Sequence, residues 1–520
     1  MELSRRDVLK LGLLGSAALY LPVERLARAE GNGSLTTLPT PFTRPFVVPP
    51  SIDLRQGGST QITMRSQRFQ VLGPAPTWPS TELWTYVGPQ GQVNPTIHVQ
   101  RNRTVEITQV NRLPDRHPQL GYEAWTSVHL HGSPSLPQYD GYANDVTKPN
   151  QKKLYKYDNP ETARTLWYHD HAVHRTDANA YMGLAAQYHL HDDVEPTLGL
   201  PSGAYEAPLT LRDVAFQGNG DLLFDDRSES SLMGDVILAN GVPWPAMKVE
   251  QRRYRFRLLN AGVSRSYLLS LSDPRAEMWV IATDGGFVPF PARISSLRVG
   301  MAERYELIID FTKCPLNTQV VMRNGDLPNN VRFANTDKVM RFDVVSPPTT
   351  PVVDKIPTTL PTNEAMRLTE DQAVRRRTME FVRKNGHWTI NGRVWDEVVG
   401  SNFRSVLADP NLGDIEVWEF VNNSGGWFHP VHVHLVDFKI LSRNGRPAAP
   451  YERGPKDVVY VGEGERVKLV MRFGPHEGRY MMHCHNLVHE DHDMMHQFRV
   501  GPDRNPDPND PITAAPPVPA

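Results

Sequence analysis

Short stretches in which polar and apolar residues alternate recur along this 520-residue chain. Examples are TVEIT at residues 104–108, RYRFR at 253–257 and RVKLV at 466–470. Because alternate side chains of a strand point to opposite faces, this pattern predicts half-buried antiparallel strands. Long amphipathic helices are scarce, and the 45 prolines and 37 glycines are typical of a turn-rich β protein. The chain therefore indicates an all-β fold of stacked β-sandwiches.

Length and composition divide the chain into about three domains, at roughly 150 residues per domain. We expect domain 1 at 45–192, domain 2 at 205–345 and domain 3 at 374–501. Segment 346–373, with runs of Pro, Ser and Thr, predicts an extended connector rather than a packed element. The Pro/Asp-rich segment 502–520 predicts a loose tail.

Residues 1–29 predict an export signal. SRRDVLK at 4–10 resembles a twin-arginine signal; an apolar stretch at 11–21 and a cleavage-like Ala-Arg-Ala at 27–29 follow. The apolar stretch is shorter than the about 20 residues that span a membrane. We therefore expect a periplasmic or extracellular protein without stable membrane insertion after cleavage; an uncleaved signal anchor is the alternative.

Charge and cysteine content narrow the function further. A formal net charge of -2 gives no signal for nucleic acid or acidic membranes as partners. The chain has two cysteines, Cys314 and Cys484. If Cys484 binds a metal, Cys314 has no partner, and no intramolecular disulfide is expected.

The strongest chemical signal is HCHNLVHEDHDMM at residues 483–495. Cys484, His489 and Met494 offer a thiolate, an imidazole and a weak thioether. With one more histidine, these are the ligands of a blue-copper electron-transfer site. His483 and His485 flank the cysteine on a predicted strand, so they project to its opposite face and can bind a different metal.

Three further clusters contain histidines in H-x-H pairs. They are His129 and His131, His169 and His171, and the run His429, His432 and His434. Alternate residues of a strand share a face, so each pair can approach one metal or two adjacent metals. Zinc is the chemical alternative, but structural zinc takes four ligands and catalytic zinc three plus water. Ten clustered histidines and a thiolate are more ligands than either kind of zinc site uses.

These motifs resemble those of multicopper oxidases, and within them bilirubin oxidases and bacterial spore-coat-type laccases. GWFHPVHVHLVDFKI at 426–440 and the motif at 483–495 resemble the copper motifs. TELWTYVG at 81–88, PTIHVQRN at 95–102 and AERYELIIDF at 302–311 resemble the shared framework. The resemblance implies three cupredoxin-like Greek-key β-barrel domains. Because ligands come from domains 1 and 3 only, it implies a copper cluster in their interface, with domain 2 as a spacer.

The resemblance also implies four copper ions: one type 1, one type 2 and two type 3. The type 1 copper takes His429, Cys484, His489 and the axial Met494. The type 2 copper takes His129 and His432. The type 3 pair takes His131, His169, His171, His434, His483 and His485.

Four further residues are assigned roles beside these ligands. The resemblance implies that Glu490 and Asp140 deliver protons to the oxygen-reducing centre. The alternative is that each carboxylate orients the N–H group of a histidine. Trp427 lies two residues before His429 and is expected on the same face, in the donor-binding rim or as ordinary packing. Asn486 is expected to donate a hydrogen bond to the cysteine sulfur, which tunes the redox potential.

The implied reaction couples one-electron oxidation of a small reducing molecule to four-electron reduction of O2 to water. We expect the donor to meet an imidazole edge of His429 or His489 at the surface, and electrons to pass from Cys484 to His483 and His485. The expected donors are phenols, aromatic amines or tetrapyrroles such as bilirubin. The sequence leaves the physiological donor and the oligomeric state open.

Two other functions are alternatives. One is an exported oxidase of cuprous copper or Mn(II), although the 16 methionines form no Met-rich insert that would dock a soft metal ion. The other, of a different class, is a copper-free cupredoxin scaffold, which the complete set of ligands disfavours. A nitrite reductase of the two-domain type is disfavoured because it has no use for the His-Cys-His tripeptide.

Overall fold

A computed structural model describes residue 35, residues 37–502 and residues 516–520. The predicted export signal and most of the predicted tail lie outside the described residues. Within these ranges the chain forms six β-sheets, which confirms the all-β prediction. No helix in the described part of the chain is long and apolar enough to cross a membrane.

The first domain contains two sheets, with strand orders β1-β4-β9-β8-β6 and β3-β2-β5-β7. Its strands are β1 (Ser51–Leu54), β2 (Gly58–Phe69), β3 (Thr81–Val87), β4 (Thr96–Gln100), β5 (Val105–Arg112), β6 (Val128–His131), β7 (Gln151–Tyr157), β8 (Arg164–Asp170) and β9 (Ala185–His191). Three of the four predicted histidine ligands of domain 1 thus lie on the neighbouring strands β6 and β8, and His171 directly follows β8.

The second domain contains sheets of order β12-β11-β10-β14-β19-β16-β17 and β13-β21-β20-β15-β18. Its strands are β10 (Glu206–Val214), β11 (Val236–Ala239), β12 (Val242–Pro243), β13 (Ala246–Glu250), β14 (Arg253–Asn260), β15 (Tyr267–Leu271), β16 (Glu277–Thr283), β17 (Gly286–Ile294), β18 (Ser296–Val299), β19 (Arg304–Asp310), β20 (Gln319–Asn324) and β21 (Lys338–Ser346).

The third domain contains sheets of order β23-β22-β24-β28-β26 and β27-β25-β29-β30. Its strands are β22 (Arg375–Lys384), β23 (His387–Ile390), β24 (Ile415–Asn422), β25 (His429–Val433), β26 (Phe438–Arg443), β27 (Val458–Val461), β28 (Arg466–Arg472), β29 (Gly478–Cys484) and β30 (Met495–Val500). In all three domains the first long strand pairs in parallel with a later one: β2 with β5, β10 with β14, and β22 with β24.

Helices are short. The described α-helices are α1 (Thr176–Met182), α2 (Trp395–Gly400) and α3 (Leu487–Asp491), and the 3-10 helices are Pro137–Tyr139, Glu195–Leu198, Gly203–Tyr205, Glu364–Arg367, Glu370–Gln372 and Pro450–Glu452. One apolar core runs through domains 1 and 2, and domain 3 has a core of its own that includes Cys484 and Met494.

Strand β14 differs from its predicted half-exposed form. Its charged residues Arg255 and Arg257 are fully buried. Both guanidinium groups bind Glu195, the first residue of the 3-10 helix after domain 1, and Glu306 on the neighbouring β19. The alternation predicted the strand correctly but not its burial. Domain 1 covers the polar face of β14, and the buried arginines therefore need carboxylate partners.

Two segments that were predicted to be loosely packed instead contact the domains. The connector 346–373 carries two 3-10 helices and buries Leu360 and Leu368 in apolar clusters, so it packs against the domains rather than running free. At the end of the chain, β31 (Val518–Pro519) pairs antiparallel with β7, so the prediction of a loose tail is wrong there.

Candidate metal centre

One thiolate and two imidazoles converge in domain 3. His429 begins β25, Cys484 ends β29 and His489 lies in α3. Nδ1 of His429 lies 3.3 Å from Sγ of Cys484 and 3.3 Å from Nδ1 of His489, and the sulfur lies 3.8 Å from Nδ1 of His489. Antiparallel pairing sets Val431 opposite Cys484, which brings the start of β25 beside the sulfur.

Met494 and Asn486 complete the surroundings of the sulfur. Met494 is fully buried in the apolar cluster that contains Cys484, and its carbonyl accepts a hydrogen bond from the Cys484 N–H at 3.0 Å. Asn486 donates to the sulfur as predicted, but through its backbone N–H, at 3.4 Å. Its side chain instead contacts His489 and Ser264.

The eight remaining predicted ligands are buried together at the interface between domains 1 and 3, in three overlapping groups of neighbours. Nε2 of His129 lies 3.4 Å from Nε2 of His432. In the second group, Nε2 of His483 lies 3.1 Å from that of His171 and 3.2 Å from that of His434. The rings of the third group have centroids 5.2–5.7 Å apart; its members are His131, His169 and His485.

The ring nitrogens of the third group show whether a metal ion fits there. Nδ1 of His131, Nε2 of His169 and both ring nitrogens of His485 are buried and have no hydrogen-bond partner among the described residues. An unpartnered buried polar atom costs about 1–3 kcal/mol, so these atoms call for a ligand. Burial lowers the pKa of His171 to about 4 and of His483 to about 3, so these rings are neutral at pH 7. Neutral imidazoles and a soft thiolate fit copper.

The two predicted acids both touch cluster histidines. The carboxylate of Glu490 lies 2.8 Å from Nδ1 of His483 and 3.5 Å from Nδ1 of His171. Asp140 accepts from Nδ1 of His434 at 2.8 Å through Oδ2, and its backbone carbonyl lies 2.5 Å from Nδ1 of His129. Burial raises the pKa of Glu490 to about 7, against a smaller lowering by His171, and raises that of Asp140 well above its usual range.

Sequence reasoning missed a third acid, Asp457. Its Oδ1 lies 3.1 Å from Nε2 of His131, and its backbone carbonyl lies 2.8 Å from Nδ1 of His432. Arg304 of domain 2 holds both carboxylate oxygens, at 2.6 and 2.5 Å. No local motif marks this residue, because its partners lie far away in the chain. Domain 2 therefore does more than separate the other two domains.

The two histidines predicted to bind the type 1 copper, His429 and His489, are fully buried, so the prediction that one exposes an imidazole edge is wrong. Nε2 of His489 lies 2.9 Å from the backbone carbonyl of Ser230 in domain 2, and Nε2 of His429 lies 2.9 Å from Oγ of Ser424. Trp388 stacks on His489 with ring centroids 3.8 Å apart. Half-buried Trp427 packs edge-on against the same ring at 5.2 Å.

Comparisons with known proteins agree with this arrangement. Residues 78–194, 167–340 and 367–504 match three family profiles, each described as multicopper oxidase. The chain is 43% identical over 394 residues to a bilirubin oxidase of Albifimbria verrucaria, an alignment covering 73% of this chain and 68% of the relative. It is 32% identical over 478 residues to a laccase of Bacillus subtilis, covering 81% and 91%.

Solved structures are similar over most of the chain. McoA, a multicopper oxidase from the hyperthermophile Aquifex aeolicus, superposes with a TM-score of 0.80 at 28% identity, covering 88% of this chain and 99% of that one. The three domains described above therefore have the cupredoxin-like architecture that the motifs implied.

Proposed function

Because the chain belongs to the multicopper oxidase family, we propose that its two histidine-rich sites hold four copper ions. His429, Cys484, His489 and Met494 would hold the type 1 ion. The eight-histidine cluster would hold three, with the pair His129 and His432 on the type 2 ion and the two groups of three on the type 3 ions. The observation that carries this assignment is the convergence of eight buried imidazole rings, with His129 beside His432 and with His171 and His434 beside His483.

The protein is a copper-dependent oxidoreductase that uses O2 as its electron acceptor. Bound copper supplies one-electron transfer at the thiolate site and reduction of O2 to water at the cluster. The chain itself joins the two sites, because Cys484 is covalently linked to His483 and His485 on either side. The alternation of β29 points the sulfur to one face and His483 to the other, so the link is only one residue long.

We assign proton delivery to Glu490 and Asp140. Each carboxylate touches two cluster histidines, and each is about 1% exposed, so each can hold a proton beside the oxygen-reducing centre where water is scarce. Four protons are consumed per O2 reduced to two waters, so buried carriers are needed. Asp457 differs because Arg304 binds both of its oxygens, which holds the carboxylate in place. We therefore assign Asp457 to positioning His131 and His432.

The donor is proposed to be a phenol, an aromatic amine or a tetrapyrrole of the bilirubin kind. The support is the covering of His489: the carbonyl of Ser230 and the half-buried ring of Trp427 separate this ligand from solvent. A flat aromatic molecule can stack on such a rim and give up one electron without touching the metal. The names of the Albifimbria verrucaria bilirubin oxidase and the Bacillus subtilis laccase point to the same class of donors.

The protein is proposed to act after export through a twin-arginine-type signal, in the periplasm or outside the cell, as a free enzyme with small molecules as its partners. A fusion of residues 1–29 to a reporter that is active only after folded export tests this. Replacing Arg5 and Arg6 by lysine should abolish export; unchanged export would contradict the signal assignment.

A substrate panel on copper-loaded protein tests the donor class. Bilirubin, a dimethoxyphenol, Cu(I) and Mn(II) are compared at equal O2 supply, with O2 consumption as the readout. We expect turnover of the two organic donors, and we expect Trp427→Ala to raise their KM. Phe428→Leu is the matched control, because Phe428 packs against Tyr460 and Met301 away from His489. Turnover of the metal ions alone would contradict the proposal.

A further inference from the structure

A separate group of histidines lies outside the copper site, on the sheet of domain 1. His98 is on β4, and His189 and His191 are on β9. The two strands pair in parallel with His98 opposite His189, so all three side chains lie on the same face. One ring nitrogen of each lies within 4.8 Å of the other two, close enough for the three to hold one metal ion.

The surroundings of His189 fix which of its nitrogens is open. The amide nitrogen of Gln187 donates to the carbonyl of Arg257 and to Oγ1 of Thr210, both at 3.0 Å. The amide oxygen of Gln187 therefore faces His189 and accepts from its Nε2–H at 2.7 Å. With the proton on Nε2, the Nδ1 lone pair of His189 is available to a ligand.

His191 is fixed in the same way by a carboxylate. Its Nδ1 donates to Oε2 of Glu195 at 2.7 Å. The other oxygen of Glu195 is held by Arg255 and Arg257 at 2.8 and 2.6 Å, so the carboxylate cannot turn away. The open atom is Nε2, and Nδ1 of His98 lies 2.9 Å from it. Histidines that bind metals typically donate their second N–H to a carboxylate or carbonyl oxygen.

We propose that His98, His189 and His191 form a binding site for one divalent first-row cation of the Zn2+ class, distinct from the copper sites. Imidazole nitrogens bind Zn2+ at about 2.0–2.1 Å, so tetrahedral ligands lie roughly 3.3 Å apart. Nδ1 of His98 and Nε2 of His191 lie 2.9 Å apart, close to that value, and a ring nitrogen of each histidine lies within 4.8 Å of one from each of the other two, so small side-chain rotations suffice. His98 and His191 are partly exposed, which leaves the fourth position to water.

Charge also favours a cation there. The ring of His98 can free Nδ1 for the cation by carrying its proton on Nε2 instead. Behind His191, the buried arginines of β14 are outnumbered by carboxylates. Two guanidinium groups face three acids, which are Glu195, Glu206 and Glu306. The network therefore has one negative charge in excess.

The site is too far from the copper cluster to share its ions. On the neighbouring strands, Thr165 of β8 lies opposite His189, and His169 lies opposite Ala185. Four residues along a strand correspond to about 13 Å. All three ligands come from domain 1, and Glu195 connects them to domain 2, so the expected role of the cation is to stabilise this contact.

The test is equilibrium dialysis of the copper-loaded protein against Zn2+, with zinc and copper measured on the same samples. We expect one zinc per chain beyond the copper, with no copper lost. His98→Gln and His191→Gln should each weaken zinc binding by about tenfold or more. His476→Gln, which changes a half-buried histidine of domain 3, is the matched control and should bind zinc like the parent.

A second readout does not depend on stoichiometry. Zn2+ should raise the Tm of the parent and of the control, because it binds only the folded chain, and at the same zinc concentration it should raise the Tm of the two ligand variants less. Blue absorption and copper content verify that each variant is folded. No zinc uptake by the parent up to millimolar zinc, or parental affinity in both ligand variants, would overturn the proposal.

Discussion

The Nε2 atoms of His129 and His432 lie 3.4 Å apart, although 303 positions separate the two residues in the chain. His129 belongs to domain 1 and His432 to domain 3, so the cluster is complete only when these domains are docked. An ion that binds only the docked form stabilises it by mass action. Copper loading and domain docking are therefore linked.

Copper content and colour provide the first prediction. The purified protein should be blue and carry about four copper ions, and Cys484→Ser should lose the blue band and one copper, because the hydroxyl cannot replace a soft thiolate. Cys314→Ser is the control: this second cysteine is buried in the core of domains 1 and 2. Optical spectra and metal analysis decide, and an intense blue band in Cys484→Ser would refute the assignment of the thiolate.

The copper ligands could be named from the sequence because their chemistry lies in short motifs. Thiolate, imidazole and thioether recur within 483–495, and a strand with period two sends Cys484 and His483 to opposite faces. The structure brings eleven of the twelve predicted ligands into one thiolate site and one histidine cluster, and it buries Met494 in the apolar cluster that contains Cys484.

What the sequence could not predict depends on contacts between distant segments. Asp457 and Arg304 are 153 positions apart, and His489 and Ser230 are 259 apart; no local spacing encodes either contact. Alternation likewise says which residues share a face but not what covers it. For that reason the strand containing Arg255 was predicted correctly and its exposure was not.

The second prediction concerns the axial ligand. As the proposed axial ligand, Met494 would donate weakly and stabilise the oxidised copper modestly; Met494→Leu should therefore raise the type 1 potential. Met495→Leu is a close control, because this neighbouring methionine is also buried but packs in a different apolar cluster. A redox titration of both variants provides the measurement. An unchanged or lowered potential in Met494→Leu, with copper retained, would remove this residue from the axial position.

The third prediction is that the protein loses stability in acid, because histidines outside the copper sites bind protons more readily in the unfolded chain. Burial lowers the pKa of His117 to about 4, with a smaller contribution from Arg175, and burial lowers that of His496 to about 4. The unfolded chain titrates near 6.5 and binds more protons than the folded chain between about pH 6.5 and 4. Stability should thus be complete above about pH 6.5 and fall below it, by about 1.4 kcal/mol per pH unit for each histidine.

Urea unfolding of the copper-loaded protein at pH 7 and pH 5 measures this loss. Nδ1 of His117 accepts from the backbone N–H groups of Gln119 and Leu120, and a glutamine side-chain oxygen can take that role without titrating. His117→Gln should therefore show a smaller drop in the unfolding midpoint between the two pH values than the parent. Equal drops in both proteins would contradict the assigned pKa.

The last prediction separates electron uptake from oxygen chemistry. Glu490→Gln keeps the size of the side chain but removes a proton carrier that lies 2.8 Å from His483. The variant should bind copper, stay blue and accept electrons anaerobically at the parental rate. Its reoxidation by O2 should slow by about tenfold or more, which corresponds to at least ~1.4 kcal/mol on that step. Asp140→Asn should behave in the same way.

A purely orienting role for Glu490 predicts a different outcome: copper affinity falls by about 10–100-fold, and excess copper restores activity. Glu161→Gln is the control for removing a buried carboxyl, because burial also raises the pKa of Glu161 to about 7 and its oxygens have no hydrogen-bond partner among the described residues. Stopped-flow reduction and reoxidation, with copper measured on the same samples, distinguish the roles. If Glu490→Gln is reoxidised at the parental rate with all its copper sites filled, Glu490 does not deliver protons, because the substitution removes its ionisable carboxyl group.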